Sequence, residues 1–331
     1  MFNRSRFASN MGRAVSLATF LSLTLSAAAL AQSYPSKPVR FLSPGSPGTT
    51  ADLIPRLLGD IMGKRMGTTF AVENRAGGNG LLSANAMLAA PADGHTLLMS
   101  TMGTLAMNPH VLPSMPFDPK TAVLPLALAA TMPMVLLINP EKIKVTSLKE
   151  FVEWGKGHPG FTYASAGDAS SAAITMMVLA KQTGMNATHV AFRGYGPGIE
   201  GVIKGEIDAI APDIGSALGT LSDGKLRALG VTTTKRSPSL PEIATFREQG
   251  YDFDIELWFG FFAKPGTPPE IVSKLTSEIQ YAMSQPEIQQ RWKTMGLTPG
   301  DKFGKDFEKY YQDDLVRWSK VLPPLGIKMA P

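Results

Sequence analysis

Short apolar runs alternate with longer segments in which apolar residues recur at helical spacing along most of this chain. In the first third, the apolar runs at 37–43, 68–74 and 95–100 predict strands, and the spacing at 49–67 and 81–90 predicts helices between them. Short strands separated by helices are typical of βαβ units, which build largely parallel sheets. The pattern therefore predicts an α/β fold.

The same order of elements returns in the middle of the chain. Strands are predicted at 160–165, 187–192 and 206–212, with a helix over 172–184 and a shorter helix ending at Lys204. In both halves a loop of small residues joins a strand to a helix, and the next strand is followed by an arginine and glycines, in RAGGNG and in RGYGPG. We predict two α/β domains of related architecture.

Two apolar segments, at 131–140 and 251–268, are the expected crossings between these domains. They divide the chain into domain one, residues 32–133 plus 256–331, and domain two, residues 134–255. Two crossings make a hinge, and a cleft between hinged domains is a common place for a ligand.

The tail after the second crossing has only helical signals. Apolar residues recur at helical spacing over 268–283 and again, with several aromatic residues, over 306–322. We interpret these aromatic residues as packing against domain one rather than as a ligand box.

The segment 1–31 has the layout of a secretory signal peptide. Three arginines precede the apolar run 14–25, and a small-x-small signal ends at Ala31, so cleavage is expected before Gln32. The alternative is an uncleaved membrane anchor, but the run is shorter than the roughly 18 residues that a spanning helix needs. We expect a mature protein in the periplasm.

Charge and cysteine content exclude several classes of protein. The formal net charge of the chain is +5, and removal of the three arginines in 1–31 lowers it to +2. A nucleic-acid-binding protein would be expected to keep a basic surface, so we expect no nucleic-acid partner. The chain has no cysteine, which excludes disulfides, thiolate catalysis and zinc–thiolate sites.

Signatures of catalysis and of nucleotide binding are incomplete in this sequence. The four histidines lie in separate segments, and YASAG has Tyr163 where a nucleophile elbow requires glycine. The segment GSPGTT has neither the lysine nor the glycine spacing of a P-loop. We therefore expect no catalytic residue, cofactor or metal. An exported hydrolase of carboxylate esters that uses Ser165 remains the alternative, because triad residues need not be adjacent in sequence.

Helix starts that follow parallel strands are the remaining candidates for a site. Thr49 or Thr50 is the natural N-cap of the first helix, with Asp52 completing a T-x-x-D capping box. Ser170 or Ser171 takes the same part in the second half. The carboxyl ends of parallel strands are where α/β folds bind ligands, and helix N-termini favour anions. The sequence therefore predicts a site for a small anion.

Six segments in one order make the sequence similar to a known family. They are YPSKPVRFLSPGSPGTTADLIPRLL, VENRAGGNG, APADGHTLLMSTMGTLAMNP, YASAGDASS, GKLRALGVTTTKRSPSLPEIATFREQGY and WFGFFAKPGTP. Together they resemble the Bug family, the extracytoplasmic solute receptors of tripartite tricarboxylate transporters. The resemblance extends from about Tyr34 to Lys328.

The resemblance implies a two-domain type II periplasmic-binding-protein fold with the ligand cleft between the domains and the C-terminal helices packed on domain one. It implies an organic acid as ligand and membrane transporter subunits as transient partners, and we expect a monomer. Family members hold the carboxylate through backbone amides and small hydroxyls of two strand–loop–helix motifs, which correspond here to Pro44–Asp52 and Ser165–Ser171.

The sequence departs from the family pattern at several positions. The first loop lacks the usual aromatic residue and carries Ser46 and Thr49, and Pro55 is expected to kink or shorten the following helix. Arg193 is interpreted either as a bidentate clamp for a second carboxylate or as a surface residue paired with Asp213.

Further residues bear on the identity of the ligand. As a set, five core candidates favour an aromatic or otherwise apolar mono- or dicarboxylate such as terephthalate; they are Met99, Met102, Met107, Trp258 and Phe259. The complete set of expected ligand contacts is Pro44, Ser46, Thr49, Thr50, Asp52, Ser100, Thr101, Thr104, Ser165, Ala166, Gly167, Ser170, Ser171, Arg193 and Asp213.

Overall fold

The computed structural model describes residues 34–167, 170–192, 194–252 and 254–326. The predicted signal peptide at 1–31 and the predicted ligand contact Arg193 lie outside the described residues.

The strands form two sheets. In chain order they are β1 (Val39–Ser43), β2 (Phe70–Asn74), β3 (Thr96–Thr101), β4 (Leu124–Pro133), β5 (Val135–Ile138), β6 (Phe161–Ser165), β7 (Ala187–Ala191), β8 (Ala209–Ile210), β9 (Arg227–Val231), β10 (Glu256–Ala263) and β11 (Thr298–Pro299). Sheet one has the order β11-β4-β10-β3-β1-β2, and sheet two has the order β7-β6-β8-β5-β9.

Helices connect and cover the strands. They are α1 (Thr50–Met66), α2 (Leu81–Ala89), α3 (Asn108–Val111), α4 (Pro119–Ala122), α5 (Leu148–Gly157), α6 (Ser171–Thr183), α7 (Tyr195–Ile203), α8 (Ile214–Ser222), α9 (Pro269–Ser284), α10 (Pro286–Thr294) and α11 (Lys305–Val321). A π-helical turn, Gly103–Met107, follows β3. The strands and helices predicted from the apolar pattern are all present, although β8 is only two residues long.

Strand direction differs in part from the sequence-based expectation. β1 pairs with β2 and β3 in parallel, and β6 pairs with β7 and β8 in parallel. β10, however, runs antiparallel between β3 and β4, and β5 runs antiparallel to β8 and β9. The expectation of largely parallel sheets is therefore right for the βαβ units and wrong for the strands at the crossings. Those strands enter from the other sheet rather than through the crossover connection that a parallel neighbour requires.

The two crossings lie side by side. β4 ends at Pro133 in sheet one and β5 begins at Val135 in sheet two, while β10 starts the return. The Thr232 hydroxyl joins the crossings, because it accepts a hydrogen bond from the Met134 amide at 3.0 Å and donates one to the Ile255 carbonyl. The domain boundaries at 133/134 and 255/256 stay predictions.

The carboxyl-terminal helix α11 packs on sheet one. Phe307, Tyr311 and Trp318 on one face of α11 are buried, and the Tyr311 ring meets the Trp258 ring of β10 edge-on at 5.9 Å. Trp258 Nε1 donates a hydrogen bond to Asp314 Oδ2 at 2.8 Å. Phe307, Tyr311 and Trp318 are therefore core residues, and the half-buried Tyr310 packs against them, as the helical spacing of 306–322 predicts. Within the described ranges, none of the helices is both long enough and apolar enough to cross a membrane.

Candidate ligand-binding site

Loop one, residues 44–49, joins β1 to α1 and is anchored by Ser43, the fully buried last residue of β1. The Ser43 hydroxyl accepts a hydrogen bond from the Gly45 amide at 3.1 Å and donates one to the Ala51 carbonyl at 2.8 Å. Ala51 needs this donor because its usual helical partner, four residues further on, is Pro55, which has no N–H. α1 therefore begins at Thr50 and continues past Pro55, and the expected shortening of its first turns is wrong.

Asp52 braces loop one from inside. Its side chain is 3% exposed, and its carboxylate accepts hydrogen bonds from the Gly48 amide at 2.9 Å, from Arg56 Nε at 2.8 Å and from Asn74 Nδ2 at 2.8 Å. Burial alone would raise the pKa of Asp52, but these hydrogen bonds outweigh it and hold the pKa below its usual value. Asn74 Nδ2 also donates to the Gly45 carbonyl at 2.8 Å, so one side chain of β2 binds both loop one and the Asp52 carboxylate.

The predicted capping box at Thr49 differs from the structure. Thr49 is the N-cap of α1, but its side chain caps no amide, because its hydroxyl donates to the Ser46 carbonyl at 2.7 Å. Asp52 reaches back to Gly48 rather than to the N-cap residue. The predicted cap is wrong because the turn from Ser46 to Thr49 directs the Thr49 hydroxyl to the Ser46 carbonyl rather than to an amide of α1. Ser46 and Thr49 are exposed, and Pro44 and Thr50 are half-buried, so this part of the loop is open to a ligand.

The carboxyl end of β3 lies beside loop one, because β3 pairs directly with β1. Ser100 is fully buried there, and its hydroxyl has no hydrogen-bond partner among the described residues. Thr101 is half-buried, and its Oγ1 lies 3.4 Å from Oγ1 of the buried Thr104. These three predicted contacts thus gather at one strand end.

The segment RAGGNG is fixed against the same strand end. Asn79 has a left-handed backbone, with φ of 51°, and its carbonyl accepts a hydrogen bond from Asn108 Nδ2 at 2.9 Å. Gly80 follows with φ of 88°, and any side chain there would collide with Thr104. Only a residue without a Cβ fits this conformation and this contact.

Loop two lies between β6 and α6, where residues 166, 167 and 170 are described, and it is anchored by Ser165, the fully buried last residue of β6. Ser165 Oγ lies 3.2 Å from the Gly167 amide, 2.9 Å from the Gly167 carbonyl and 2.5 Å from His189 Nε2. His189 comes from β7, and its ring stacks on Tyr163 of β6 with a centroid distance of 5.1 Å. Ala166 and Gly167 are half-buried.

The start of α6 agrees with its predicted cap. Ser170 is the N-cap, and its side chain accepts a hydrogen bond from the Ala173 amide at 3.3 Å. Ser171, the first helical residue, is 8% exposed. Here the N-cap side chain serves its own helix, unlike that of Thr49.

The two loops share a backbone plan. Ser43 lies opposite Asn74 in the β1–β2 pair, and Ser165 lies opposite Ala191 in the β6–β7 pair. The residue after each partner donates its amide to the serine carbonyl, from Arg75 at 2.8 Å and from Phe192 at 2.9 Å. In both loops a glycine two residues after the serine donates its amide to the serine hydroxyl. The predicted similarity of layout therefore extends to individual hydrogen bonds.

Asp213 begins α8 at the same edge of sheet two as loop two. It is the N-cap of α8 and accepts hydrogen bonds from the amide and the hydroxyl of Ser216, each at 2.9 Å. Burial raises the pKa of Asp213, and the Ser216 bonds oppose this shift. Burial also raises the pKa of Tyr195, the nearby Asp213 adds to that shift, and a hydrogen bond with the Ala172 backbone opposes it. The starts of α6, α7 and α8 are thus close neighbours. Both interpretations of Arg193 stay predictions.

The apolar candidates are core residues. Met99, Met102, Met107 and Trp258 are fully buried, and Phe259 is 7% exposed. Burial to this extent leaves little of these side chains for a ligand, so their weight in favour of an aromatic ligand is reduced.

Four residues of the two loop networks were not singled out from the sequence: Ser43, Arg56, Asn74 and His189. Arg56 lies one helical turn after Asp52, a spacing that is visible in the sequence. The contacts of Ser43, Asn74 and His189 depend on which residues lie opposite each other in the parallel strand pairs. Knowledge of the strand register would have identified these three residues.

Comparisons with known proteins agree with this geometry. Residues 54–327 match the model of the family described as "Tripartite tricarboxylate transporter family receptor". Protein BugT of Bordetella pertussis is 28% identical over 302 residues, which are 90% of this chain and 92% of BugT. A solved R. palustris protein with adipate has a TM-score of 0.81 at 27% identity, covering 89% of this chain and 100% of that one. MatC from Rhodopseudomonas palustris with bound malate has a TM-score of 0.77 at 28% identity, covering 87% and 100%.

The match covers most of the chain and nearly all of the described fold. The two mixed sheets joined by paired crossings form the two-domain type II periplasmic-binding-protein fold that the family resemblance implies. The chain therefore belongs to the tripartite tricarboxylate transporter receptor family, the Bug-type family whose motifs it carries.

Proposed function

We propose that this protein is a periplasmic receptor that captures a small organic dicarboxylate and releases it unchanged to a membrane transporter. The observation that carries the proposal is the pair of matched strand–loop–helix motifs. Each motif has a buried serine at the strand end, a glycine that donates its amide to that serine, and a helix start directly after the loop. Helix starts present unpaired amides and partial positive charge, which suit carboxylates.

Relatives of the same fold support the chemical class of the ligand. One R. palustris neighbour was solved with adipate and MatC with malate, and both superpose on this chain over their whole length. Adipate and malate are both dicarboxylates. Because the described apolar candidates are largely core residues, an aromatic dicarboxylate such as terephthalate stays a prediction to be tested beside aliphatic acids.

Location and partners follow from the same proposal. The segment 1–31 would direct export to the periplasm, and the receptor would meet its membrane subunits only transiently. We propose that it acts as a monomer, because one chain supplies both loops.

A binding panel tests the proposed function. Thermal unfolding and calorimetric titration of the purified protein should be compared for malate, adipate, citrate, terephthalate and the monocarboxylate benzoate. At 100 times its Kd, a ligand raises the free energy of unfolding by about 2.7 kcal/mol. We expect at least one dicarboxylate to bind, and we expect it to be recovered unchanged.

A bulky substitution on loop one locates the site. Ser46 is exposed, so Ser46→Trp should fold normally and weaken dicarboxylate binding more than about tenfold, or 1.4 kcal/mol. Ser284→Trp, at an exposed residue of α9, is the matched control and should bind as wild type does. Normal affinity in Ser46→Trp, or no shift with any carboxylate, would contradict the proposal.

The contact between Ser165 Oγ and His189 Nε2 favours one second candidate, an exported esterase. The full burial of Ser165 counts against it, since a nucleophile must reach its substrate. Nitrophenyl esters of the panel acids test it directly. Turnover by the wild type that Ser165→Ala abolishes would favour the esterase, and we expect no such turnover.

A further inference from the structure

The hydroxyl of Ser165 has three hydrogen-bonding neighbours but only one hydrogen to donate. It lies within hydrogen-bond distance of the Gly167 amide, the Gly167 carbonyl and His189 Nε2. A serine hydroxyl donates one hydrogen bond and accepts two. All three contacts are satisfied together only if the proton goes to the Gly167 carbonyl and the two lone pairs accept from the Gly167 amide and from His189. The count thus assigns the hydrogen on Nε2 of His189.

Loop one explains why loop two needs this histidine. In loop one the Ser43 proton goes to the Ala51 carbonyl, which Pro55 leaves without a helical partner. The equivalent carbonyl in loop two is that of Ala172, two residues after the N-cap Ser170. Four residues further on stands Met176, which has an N–H and lies inside α6. The Ala172 carbonyl therefore has a helical partner and does not need the Ser165 hydroxyl as a donor. The Ser165 hydroxyl donates to the Gly167 carbonyl instead.

Strand register brings the histidine to this point. His189 lies opposite Tyr163 in the parallel β6–β7 pair, and Ser165 follows two residues later on the same face of β6. The His189 ring stacks on Tyr163 at an interplanar angle of 27°. In this position its Nε2 reaches the hydroxyl of Ser165 at the end of β6. β7 is the edge strand of sheet two, and within that sheet it pairs with β6.

We propose that His189 is a positioning residue of the ligand site. Its Nε2–H fixes the Ser165 hydroxyl, the hydroxyl fixes both polar atoms of Gly167, and the turn at Ala166 and Gly167 is thereby held in the conformation that the ligand meets. Gly167 has φ of 128°, a region of backbone space that glycine enters freely and does not hold by itself. Holding a loop in its bound conformation strengthens binding because less ordering remains for the ligand to impose. This inference rests on the proposed function.

Substitutions at His189 separate hydrogen bonding from packing. His189→Phe keeps a ring on Tyr163 and removes the nitrogen, whereas His189→Gln removes the ring and keeps a terminal N–H. We expect His189→Phe to weaken binding of malate or adipate about three- to tenfold, the loss of one hydrogen bond, and His189→Gln to retain most of the affinity. Thr188→Val, at the exposed neighbour on the opposite face of β7, should bind as wild type does.

A double-mutant cycle tests that His189 acts through Ser165. We expect Ser165→Ala together with His189→Phe to bind no more weakly than Ser165→Ala alone. Wild-type affinity in His189→Phe, equal losses in the Phe and Gln variants, or losses that multiply in the double variant would each overturn the inference.

A measurement without ligand keeps the inference independent of the proposed function. The Gly167 amide donates to Ser165 Oγ, so its hydrogen exchange reports whether the hydroxyl is in place. We expect exchange at Gly167 to be at least about threefold faster in His189→Phe and close to the wild-type rate in His189→Gln. An unchanged rate in His189→Phe would overturn the inference. A wild-type protein that binds no carboxylate would instead refute the proposed function.

Discussion

Loop one and loop two begin from the same backbone plan and are held in place by different chemistry. In loop one a buried carboxylate, Asp52, collects hydrogen bonds from the loop, from its own helix and from Asn74 of β2. In loop two the position opposite the anchoring serine is Ala191, which has no polar side chain, and the support comes from His189 two residues earlier.

The difference shows two ways to fix the same kind of loop. Loop one is held by an ionic network of Asp52 and Arg56. Among the described residues, loop two is held by the hydrogen bonds of Ser165 and of the N-cap Ser170. We therefore expect the stability of the fold to depend more on loop one, and the tuning of ligand affinity to depend more on loop two.

The largest expected effect is on loop one. Asp52→Ala should lower the free energy of unfolding by about 2–3 kcal/mol, because it leaves buried donors without an acceptor. The loss is smaller than for a fully buried ion pair because the Arg56 side chain is 45% exposed. Chemical denaturation measures it, and Asp60→Ala, at an exposed residue of the same helix, is the matched control. A loss under about 1 kcal/mol would mean that loop one is not braced by its carboxylate.

Acid should weaken loop one through the same group. The pKa of Asp52 is lower in the folded than in the unfolded protein, so its contribution to stability is complete above the unfolded value of about 3.9 and is lost as the pH falls through the folded value. The stability difference between wild type and Asp52→Asn, measured by denaturation from pH 7 to pH 2.5, should shrink below about pH 4. A difference that is constant over this range would contradict the ionic brace.

The Ser43–Pro55 pair gives the next largest effect. Ser43→Ala should cost about 1–3 kcal/mol, because it leaves the buried Ala51 carbonyl without a donor. In the Pro55→Ala background, residue 55 regains an N–H for that carbonyl, so the same substitution should cost clearly less. Equal costs in both backgrounds, measured by denaturation, would show that the hydroxyl does not replace the missing helical bond.

The two N-caps give the smallest effect. Ser170→Ala should cost about 1 kcal/mol, because the Ser170 side chain caps α6. Thr49→Ala should cost about 0.5 kcal/mol or less, because the Thr49 hydroxyl caps no amide of α1. Thermal unfolding of the two variants compares them, and the reverse ranking would contradict the two cap geometries.

The apolar pattern located the six strands of the βαβ units, the helices between them and the two loops, because these depend on local patterns, whereas β4, β9, α5 and α8 were not singled out. Ser170 was recognisable as a cap from its neighbours alone. The antiparallel insertion of β10 was missed, since it depends on how a returning strand enters a sheet. The partners of Ser43 and Ser165 were missed for a related reason, because Asn74 and His189 reach them only through strand register.

Amide chemical shifts test most directly whether both loops bind one ligand. The ¹⁵N-labelled protein would be titrated with malate, adipate and terephthalate, and the amides of residues 45, 46 and 48–50 in loop one and of Ala166, Gly167, Ser170 and Ser171 would be followed. We predict that at least one of these acids shifts amides of both loops, with a common saturation curve, and that Ser46→Trp abolishes both sets of shifts. Shifts confined to one loop, or shifts only at residues remote from both, would contradict a dicarboxylate site shared between them.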